Sequence, residues 1–382
     1  MLIFNKKLIF KNPPSTQIVI FDETNNHFIN ELIFKGSSLF TYTMNPENIY
    51  ITFSMIYYFI KSLITFNFNS IKKRKRKLRA LFSELFRHYR LAFFHFMKPK
   101  VVITFIDNSE PYHWLCKKYK TTNFFAIQNG VRLVFHLNKG PKHYHMHYFC
   151  FGDYEKDLFN KFNHKVEQYI PVGSLLAGYY MSTSSSSSQI KYDICVFSSI
   201  IHKNYFDPQL KDFWESYKLM NKYLARYITE YEIKFAIATR NKFNTDLPAP
   251  GYPGEEAYYR NIYGNNVKLI QRDDSNFISY QTWNESDIVI GSATTTVREA
   301  FGWGKKVCYC DFTETKKYHD YDSMIMFTTP NYEDFKSHIN KLRFEPQEKY
   351  NKRTKKYASY LMNNDPDYPP HIYIRKKIEE YL

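Results

Sequence analysis

Glycine is scarce in this sequence, at 12 residues in 382. No G-x-G-x-x-G stretch follows the first strand-like run, and there is no Walker A loop, H-E-x-x-H helix or G-x-S-x-G elbow. These absences weigh against nicotinamide enzymes, P-loop NTPases, zinc proteases and serine hydrolases. Cysteine is thin as well, with 5 residues and no C-x-x-C pair. Cys116, Cys150, Cys195, Cys308 and Cys310 sit mostly in apolar, strand-like runs, the pattern of buried thiols in a reducing compartment. Cys308 and Cys310 lie two apart on one strand, and no histidine stands at metal-ligand spacing from them. Long apolar runs are also missing. The stretch MLIFNKKLIF is too short in its apolar part for a secretory signal and lacks a small-residue cleavage site. IYITFSMIYYFIKSLITF, residues 49–66, approaches the length of a membrane span, and the basic run behind it could act as a cytoplasmic stop. Lys61 in its interior, with Asn67 and Asn69 close behind, favours a strand leading into a buried helix.

Positive charge and aromatic rings are abundant. The net charge of +16 suits nucleic acid, anionic lipid or phosphorylated substrates. The 34 Tyr and 34 Phe accompany many Lys, Asn and Ile. That combination points to an AT-rich genome as much as to a function, so the rings do not by themselves argue for base stacking. The densest basic run, KKRKRKLR from Lys72 to Arg79, leads into ALFSELFRHYRLAFFHFM, which carries a broad apolar face with Arg87, His88 and Arg90 opposite. Residues 72–97 therefore read as a basic amphipathic helix for an anionic membrane surface, or as a solvated helix whose other side is core. A nucleic-acid protein using the same run is the reading from another class; no nucleic-acid motif accompanies it, and nucleic acid is not an expected partner.

Strand-like and helical runs alternate, which implies parallel sheets with helices on both faces. The first half runs through QIVIFD, VVITFI (from Val101), FFAI (Phe124 to Ile127), HYFCFGD and VEQYIPVG. A serine run then breaks the chain; too polar to bury surface, it reads as a flexible connection. The expected organisation is residues 1–182 as one domain, 183–190 as linker, 191–345 as a second domain, and 346–382 as helices that pack back on the first. Within the second half, residues 286–311 (SDIVIGSATTTVREAFGWGKKVCYCD) predict a strand over Asp287 to Ile290, a hydroxyl-rich turn, a helix over Val297 to Trp303 and a strand over Lys306 to Tyr309. A helix starting just past a strand end directs unpaired N–H groups and partial positive charge at that edge, where anions bind. Ser292, Thr294, Thr295 and Thr296 add hydroxyl donors. Glu299, one turn on, suits a ribose or sugar hydroxyl. A plain helix cap, with Glu299 completing a capping box, is the simpler alternative.

Ligands of open parallel sheets bind outside the carboxyl ends of the strands. In the first half those ends carry Asp22, Glu23, Asp107, Asn108, Glu110, Gln128, Asn129, Arg132 and Asp153; in the second, Ser198, Ser199, His202, Arg240, Arg272 and the hydroxyl turn. Carboxylates and amides on one side, with arginine and hydroxyls on the other, fit a transferase with an acceptor half and a phosphorylated-donor half. Asp107 is the expected general base and Glu110 its understudy, unless Asp107 or Asn108 serves as a helix cap. Gln128, Asn129 and Arg132 are expected at the acceptor or cleft. Arg240, Ser292, Thr294, Thr295, Thr296 and Glu299 are expected at the donor. His143, His145 and His147 alternate and so should share one strand face; with no fourth ligand visible they read as a strand edge, and no metal site is expected.

Three stretches, VVITFIDNS with FFAIQNGVR, YFCFGD with IPVGS, and SDIVIGSATTTVREAFGWGKKV, resemble the GT-B glycosyltransferases, and within them a bacterial surface-carbohydrate group making capsule or lipopolysaccharide. The last stretch is similar to the donor-nucleotide segment of these enzymes and of glycerophosphate-type polymer transferases. Many relatives carry a histidine where this chain has Gln128-Asn129-Gly130, and no His-Pro dipeptide marks a cytidine-monophosphate sugar. The resemblance implies two Rossmann-like α/β domains facing a cleft. It also implies metal-independent sugar transfer without a cofactor, from a nucleotide-activated or other phosphorylated donor to a surface glycan or lipid-linked acceptor, at the cytoplasmic face of the inner membrane. A glycerophosphate-type transferase and a sugar-nucleotide epimerase are the alternatives of similar fold.

Overall fold

A computed structural model describes residues 7–21, 26–45, 47–66, 77–184, 189–200, 210–243, 246, 252–273, 277–314, 319–365 and 367–382. Asp22, Glu23, His202, residues 72–76 of the basic run, residues 185–188 of the serine run, 247–251 and Ser275 lie outside them. The strands in chain order are β1 (Lys7–Ile9), β2 (Ile18–Ile20), β3 (Thr41–Thr43), β4 (Asn48–Tyr50), β5 (Val101–Thr104), β6 (Asn123–Ile127), β7 (Tyr144–Cys150), β8 (Lys165–Pro171), β9 (Tyr192–Phe197), β10 (Phe235–Ala238), β11 (Lys268–Ile270), β12 (Ser286–Gly291), β13 (Lys306–Cys310) and β14 (Met326–Phe327). They form two six-stranded sheets of order β3-β2-β5-β6-β7-β8 and β11-β10-β9-β12-β13-β14, while β1 and β4 pair separately. Every pairing is parallel. The result is an α/β protein of two Rossmann-like halves.

Short runs of β-branched and aromatic residues make the central strands because these are covered on both faces. Along β2, β5 and β6, Val19, Val102, Phe124 and Ala126 enter the larger core, while Ile18, Ile20, Val101, Ile103, Phe125 and Ile127 enter the second core. Ile374 and Ile378 of helix Pro370–Glu379 complete that second core, so a segment distant in sequence seals the first sheet. The chain reaches it along helix Gln347–Leu361 and a crossing at 360–364. There the Asn363 amide donates to Phe151 O at 2.6 Å and its side chain to Pro171 O at 2.8 Å. A side chain at Gly152 would collide with the Tyr360 carbonyl, and one at Gly173, whose φ is +82°, with that of Asn363.

Over residues 49–66 the expected strand leading into a helix is found, but that helix is not buried, and the outer face expected of Arg87 and His88 is not found. Residues 49–66 form β4 and helix Phe53–Leu63, and no described helix is long and apolar enough to cross a membrane. That helix buries only Met55 and Ser62; Phe53, Ile56, Tyr57 and Ile60 are 96, 45, 61 and 61% exposed. In helix Lys77–Met97, Arg87 and His88 face inward rather than outward. Arg87 spans Glu84 at 3.0 Å and Glu110 at 2.7 Å, and His88 lies against the rings of Phe66 and Trp114.

Between the halves runs a buried ion pair. Arg298, in helix Thr295–Gly302, donates to both oxygens of Glu155, in helix Tyr154–Lys161, at 2.6 and 2.8 Å. Arg298 Nε also donates to Leu361 O at 3.0 Å. Gly152 N and Gln128 Nε2 donate to Glu155 at 3.2 and 3.0 Å. Burial works against the Arg298 charge, but the Glu155 carboxylate holds the guanidinium above its ordinary value. Arg298→Met strands a buried carboxylate and should lower stability by about 3–5 kcal/mol in denaturant unfolding. Arg298→Met with Glu155→Leu should cost less than the two single changes added; strict additivity would show that the pair does not act as one unit.

Candidate functional site

The carboxyl ends of both sheets open on one cavity of about 870 Å³. From the first half it is lined by the loops after β5 and β6, by Ser174 after β8, and by the short helix Val134–Lys139; from the second, by the ends of β9 and β10, the loop after β11, and the turn after β12. Each lining segment is held by a specific local device. After β12, Gly291 is required because a Cβ there would come within 2.8 Å of Thr294 and Val297. Thr294 then caps the helix, which starts at Thr295, two residues earlier than the sequence suggests. After β10, buried Glu255 accepts from the Arg240 and Asn241 amides at 2.9 Å each and so fixes the loop that presents Arg240.

On the second-half wall, the helix start, Ser198, Ser199, Arg240, Arg272, Asp273 and Glu299 converge. The Arg240 side chain is exposed to solvent, yet desolvation by the surrounding protein and repulsion from Arg272 hold it below its ordinary value. An anion between the two would relieve that repulsion. Glu299 is deeply buried, accepting from the Ser174 hydroxyl of the first half and from Tyr280 at 3.3 Å. Burial pushes its carboxyl up from 4.5 to about 7, against the pull of Ser174, Tyr280 and Arg298.

The first-half wall carries amides, an imidazole and the cations Arg132 and Lys139. Gln128 lines it, but its side chain is committed: it accepts from Phe151 N at 2.8 Å and donates to Gly130 O and Glu155. Arg132 binds Asp107 through Nε at 3.1 Å and again through Nη2, and Asn129 Oδ1 at 2.8 Å. His136 is exposed into the cavity, where partial desolvation and Arg132 hold it below its ordinary value and keep the imidazole neutral at neutral pH. Thr295 Oγ1 accepts from Val131 N at 3.0 Å, so one hydroxyl of the turn bridges to the opposite wall.

Gln128, Asn129, Arg132, Arg240, Thr294, Thr295, Thr296 and Glu299 all line the cavity. Three expected residues do not. Asp107 is fully buried, with Arg132, the Tyr148 hydroxyl at 2.9 Å and the Asn129 amide at 3.3 Å on its oxygens; it braces the loop after β6 from below. Glu110 pairs with Arg87 away from the cavity. Ser292 turns into the protein and donates to Cys310 O at 2.9 Å. Sequence reasoning missed His136, Ser174, Tyr280 and Arg298. Ser174 sits in the IPVGS stretch, which was legible as part of the fold; nothing local marked the other three.

No protein-family model and no curated protein matches the chain in sequence. Solved structures do match. A putative UDP-N-acetylglucosamine 2-epimerase from Listeria monocytogenes aligns at TM-score 0.58 and 10% identity over 97% of each chain. S. aureus MnaA, solved with UDP, aligns at 0.54 and 11% over 95% of this chain and 96% of that one. A variant of the wall teichoic acid polymerase TagF aligns at 0.51 and 11% over 97% of this chain and 89% of that one. The fold is the GT-B fold. It is shared by glycosyltransferases and UDP-N-acetylglucosamine 2-epimerases, and at these identities the likeness extends to the fold alone.

The raised carboxyl makes Glu299 a stability switch. Below about 4.5 it is protonated folded or unfolded; as pH rises to about 7 the unfolded chain ionises while the folded one keeps its proton, so stability is lost across that window. Relative to Glu299→Gln, the wild-type chain should lose about 2–3 kcal/mol between those limits and then stay level. Parallel pH profiles of the two proteins would show that Glu299 titrates normally.

Proposed function

We propose that the chain is a glycosyltransferase that moves a sugar from a nucleotide-activated donor to a glycan or lipid-linked acceptor of surface-polysaccharide assembly. The observation that carries this reading is one cavity between the two sheets, where Arg240, Arg272, hydroxyls and a helix start stand on one wall, and amides, Arg132 bound to Asp107 and a neutral imidazole on the other. The donor diphosphate lies against Arg240, Arg272 and the Thr294–Thr296 amides, with Glu299 on the ribose. His136 takes the proton from the acceptor hydroxyl, the acceptor oxygen bonds to the anomeric carbon, and the nucleoside diphosphate leaves with the electron pair of the broken bond. Asp107 is a positioning residue that acts through Arg132. The UDP bound to MnaA makes UDP-sugars the first donors to try.

A sugar-nucleotide epimerase is the second reading, favoured by whole-chain alignment with the Listeria protein. The cavity lining, with His136, Asp273 and Glu299, also holds groups able to move a proton at a ring carbon, so the reaction itself separates the two readings. Expected results are a higher melting temperature with UDP and conversion of a donor only when an acceptor is supplied. His136→Ala should keep the UDP shift and lose turnover. Epimerised donor in the absence of acceptor would replace the transferase reading, and glycerophosphate transfer from a donor panel would move it to the polymer transferases.

We place the membrane contact on helix Phe53–Leu63 rather than on residues 72–97 as a whole. Phe53, Ile56, Tyr57 and Ile60 form one exposed apolar face, with Ile64, Leu78 and Phe82 also exposed and Lys61, Lys77 and Arg79 exposed nearby. Apolar rings beside cations fit an anionic bilayer surface. The protein should sediment with vesicles containing phosphatidylglycerol and not with neutral ones, and Ile56→Ser/Ile60→Ser should abolish this. Unchanged sedimentation of the variant would remove the helix from the contact.

A further inference from the structure

Under the first sheet, on the larger-core side, three histidines converge that the cavity does not use. His113 projects from helix Glu110–Lys118, His143 stands just before β7, and His145 is in β7. One ring nitrogen of each lies within 4.8 Å of the others. His147, expected on the same face, points elsewhere: it stacks on Phe125 at 4.5 Å, and its Nδ1 meets Gln168. His145 instead stacks on Tyr148 at 4.5 Å. His164 is nearby, but its nitrogens are taken by the His143 amide and Leu137 O.

The remaining nitrogens are left over in a telling way. His113 Nδ1 is 3.0 Å from Tyr144 O and 3.4 Å from Tyr144 N. The shorter contact makes Nδ1 the donor, which leaves a lone pair on Nε2, and that atom is buried without a partner. A backbone carbonyl fixing the far nitrogen is how proteins orient a metal-ligating imidazole. His145 is fully buried with both nitrogens unpaired, and His143 Nδ1 is unpaired as well. Buried polar atoms without partners are uncommon and call for an ion, a water or a functional reason.

We propose that His113, His143 and His145 bind a divalent transition-metal ion of the zinc class. An all-imidazole set suits zinc and its neighbours rather than magnesium or calcium. Zinc holds three such nitrogens at about 2.0–2.1 Å, which places them about 3.4 Å apart, so the rings must close by on the order of 1 Å through side-chain rotation. His143, only partly buried, gives the entry path. The ion ties helix Glu110–Lys118 to β7, and His145 connects it through Tyr148 to Asp107 beneath the cavity.

The test uses the full chain without a histidine tag. Elemental analysis after zinc exposure and gel filtration should find one equivalent per chain, and cobalt substitution should give the visible bands of a tetrahedral, nitrogen-rich site. A chromophoric chelator should report affinity roughly ten- to hundred-fold weaker in His113→Gln and lost binding in His145→Phe, which keeps the ring stack. His147→Gln should bind as the wild type does. If the variants fail to fold, the wild-type cobalt spectrum decides. Wild-type protein that takes up no zinc and shows no cobalt bands overturns the proposal, as does equal binding by His145→Phe.

Discussion

A guanidinium with 1% of its side chain exposed can stay charged in a protein interior only if its surroundings replace what water supplied. For Arg298 they do: two carboxylate oxygens from the first half, a carbonyl from the crossing near Leu361, and the faces of Phe151 and Tyr154 at 5.4 and 5.0 Å. Because these partners come from two parts of the chain distant from Arg298 and from each other, 151–155 and 361, the geometry is satisfied only when all three segments are in place. Arg298 is also the immediate neighbour of Glu299 and lies one turn from the Thr294 cap. The pair therefore sets the position of the helix whose start faces the cavity.

The two walls are joined at the base rather than simply facing one another. Thr295 accepts from the loop after β6, and Ser174 donates to Glu299. A ligand entering this site competes with the protein's own cross-wall hydrogen bonds, so its binding energy is a net of contacts made and contacts displaced. The proton that Glu299 retains when buried belongs to the same account, since an ionised carboxylate there becomes favourable only with a new donor beside it.

Much of the fold was legible because it is written in local pattern. The β12–helix–β13 unit was placed to within two residues from short β-branched runs and a hydroxyl turn, and the parallel sheets followed from alternation. Sites depend on which way a side chain turns, and that is set by partners far away in sequence. Asp107 stood at a strand end as expected, but Arg132 and Tyr148 claim its oxygens from below. Ser292 was in the right turn and faced the wrong way. Arg87 and His88 looked like a polar outer face until Glu110 and Trp114, brought by the next helix, drew them in. The histidine triad was half visible: the alternation suggested His143, His145 and His147, while His113 comes from another element, and His147 turns away.

The helix that seals the first sheet has a consequence for the order of events during synthesis. Ile18, Ile20, Ile103 and Phe125 are made early, yet the isoleucines that cover them, Ile374 and Ile378, emerge only after the whole second sheet has been translated. Domains ordinarily fold one after another as the chain leaves the ribosome. Here Ile29, Leu32, Ile33 and Leu175 of the first half cover part of that face, and the share that Ile374 and Ile378 cover stays open until the chain is finished.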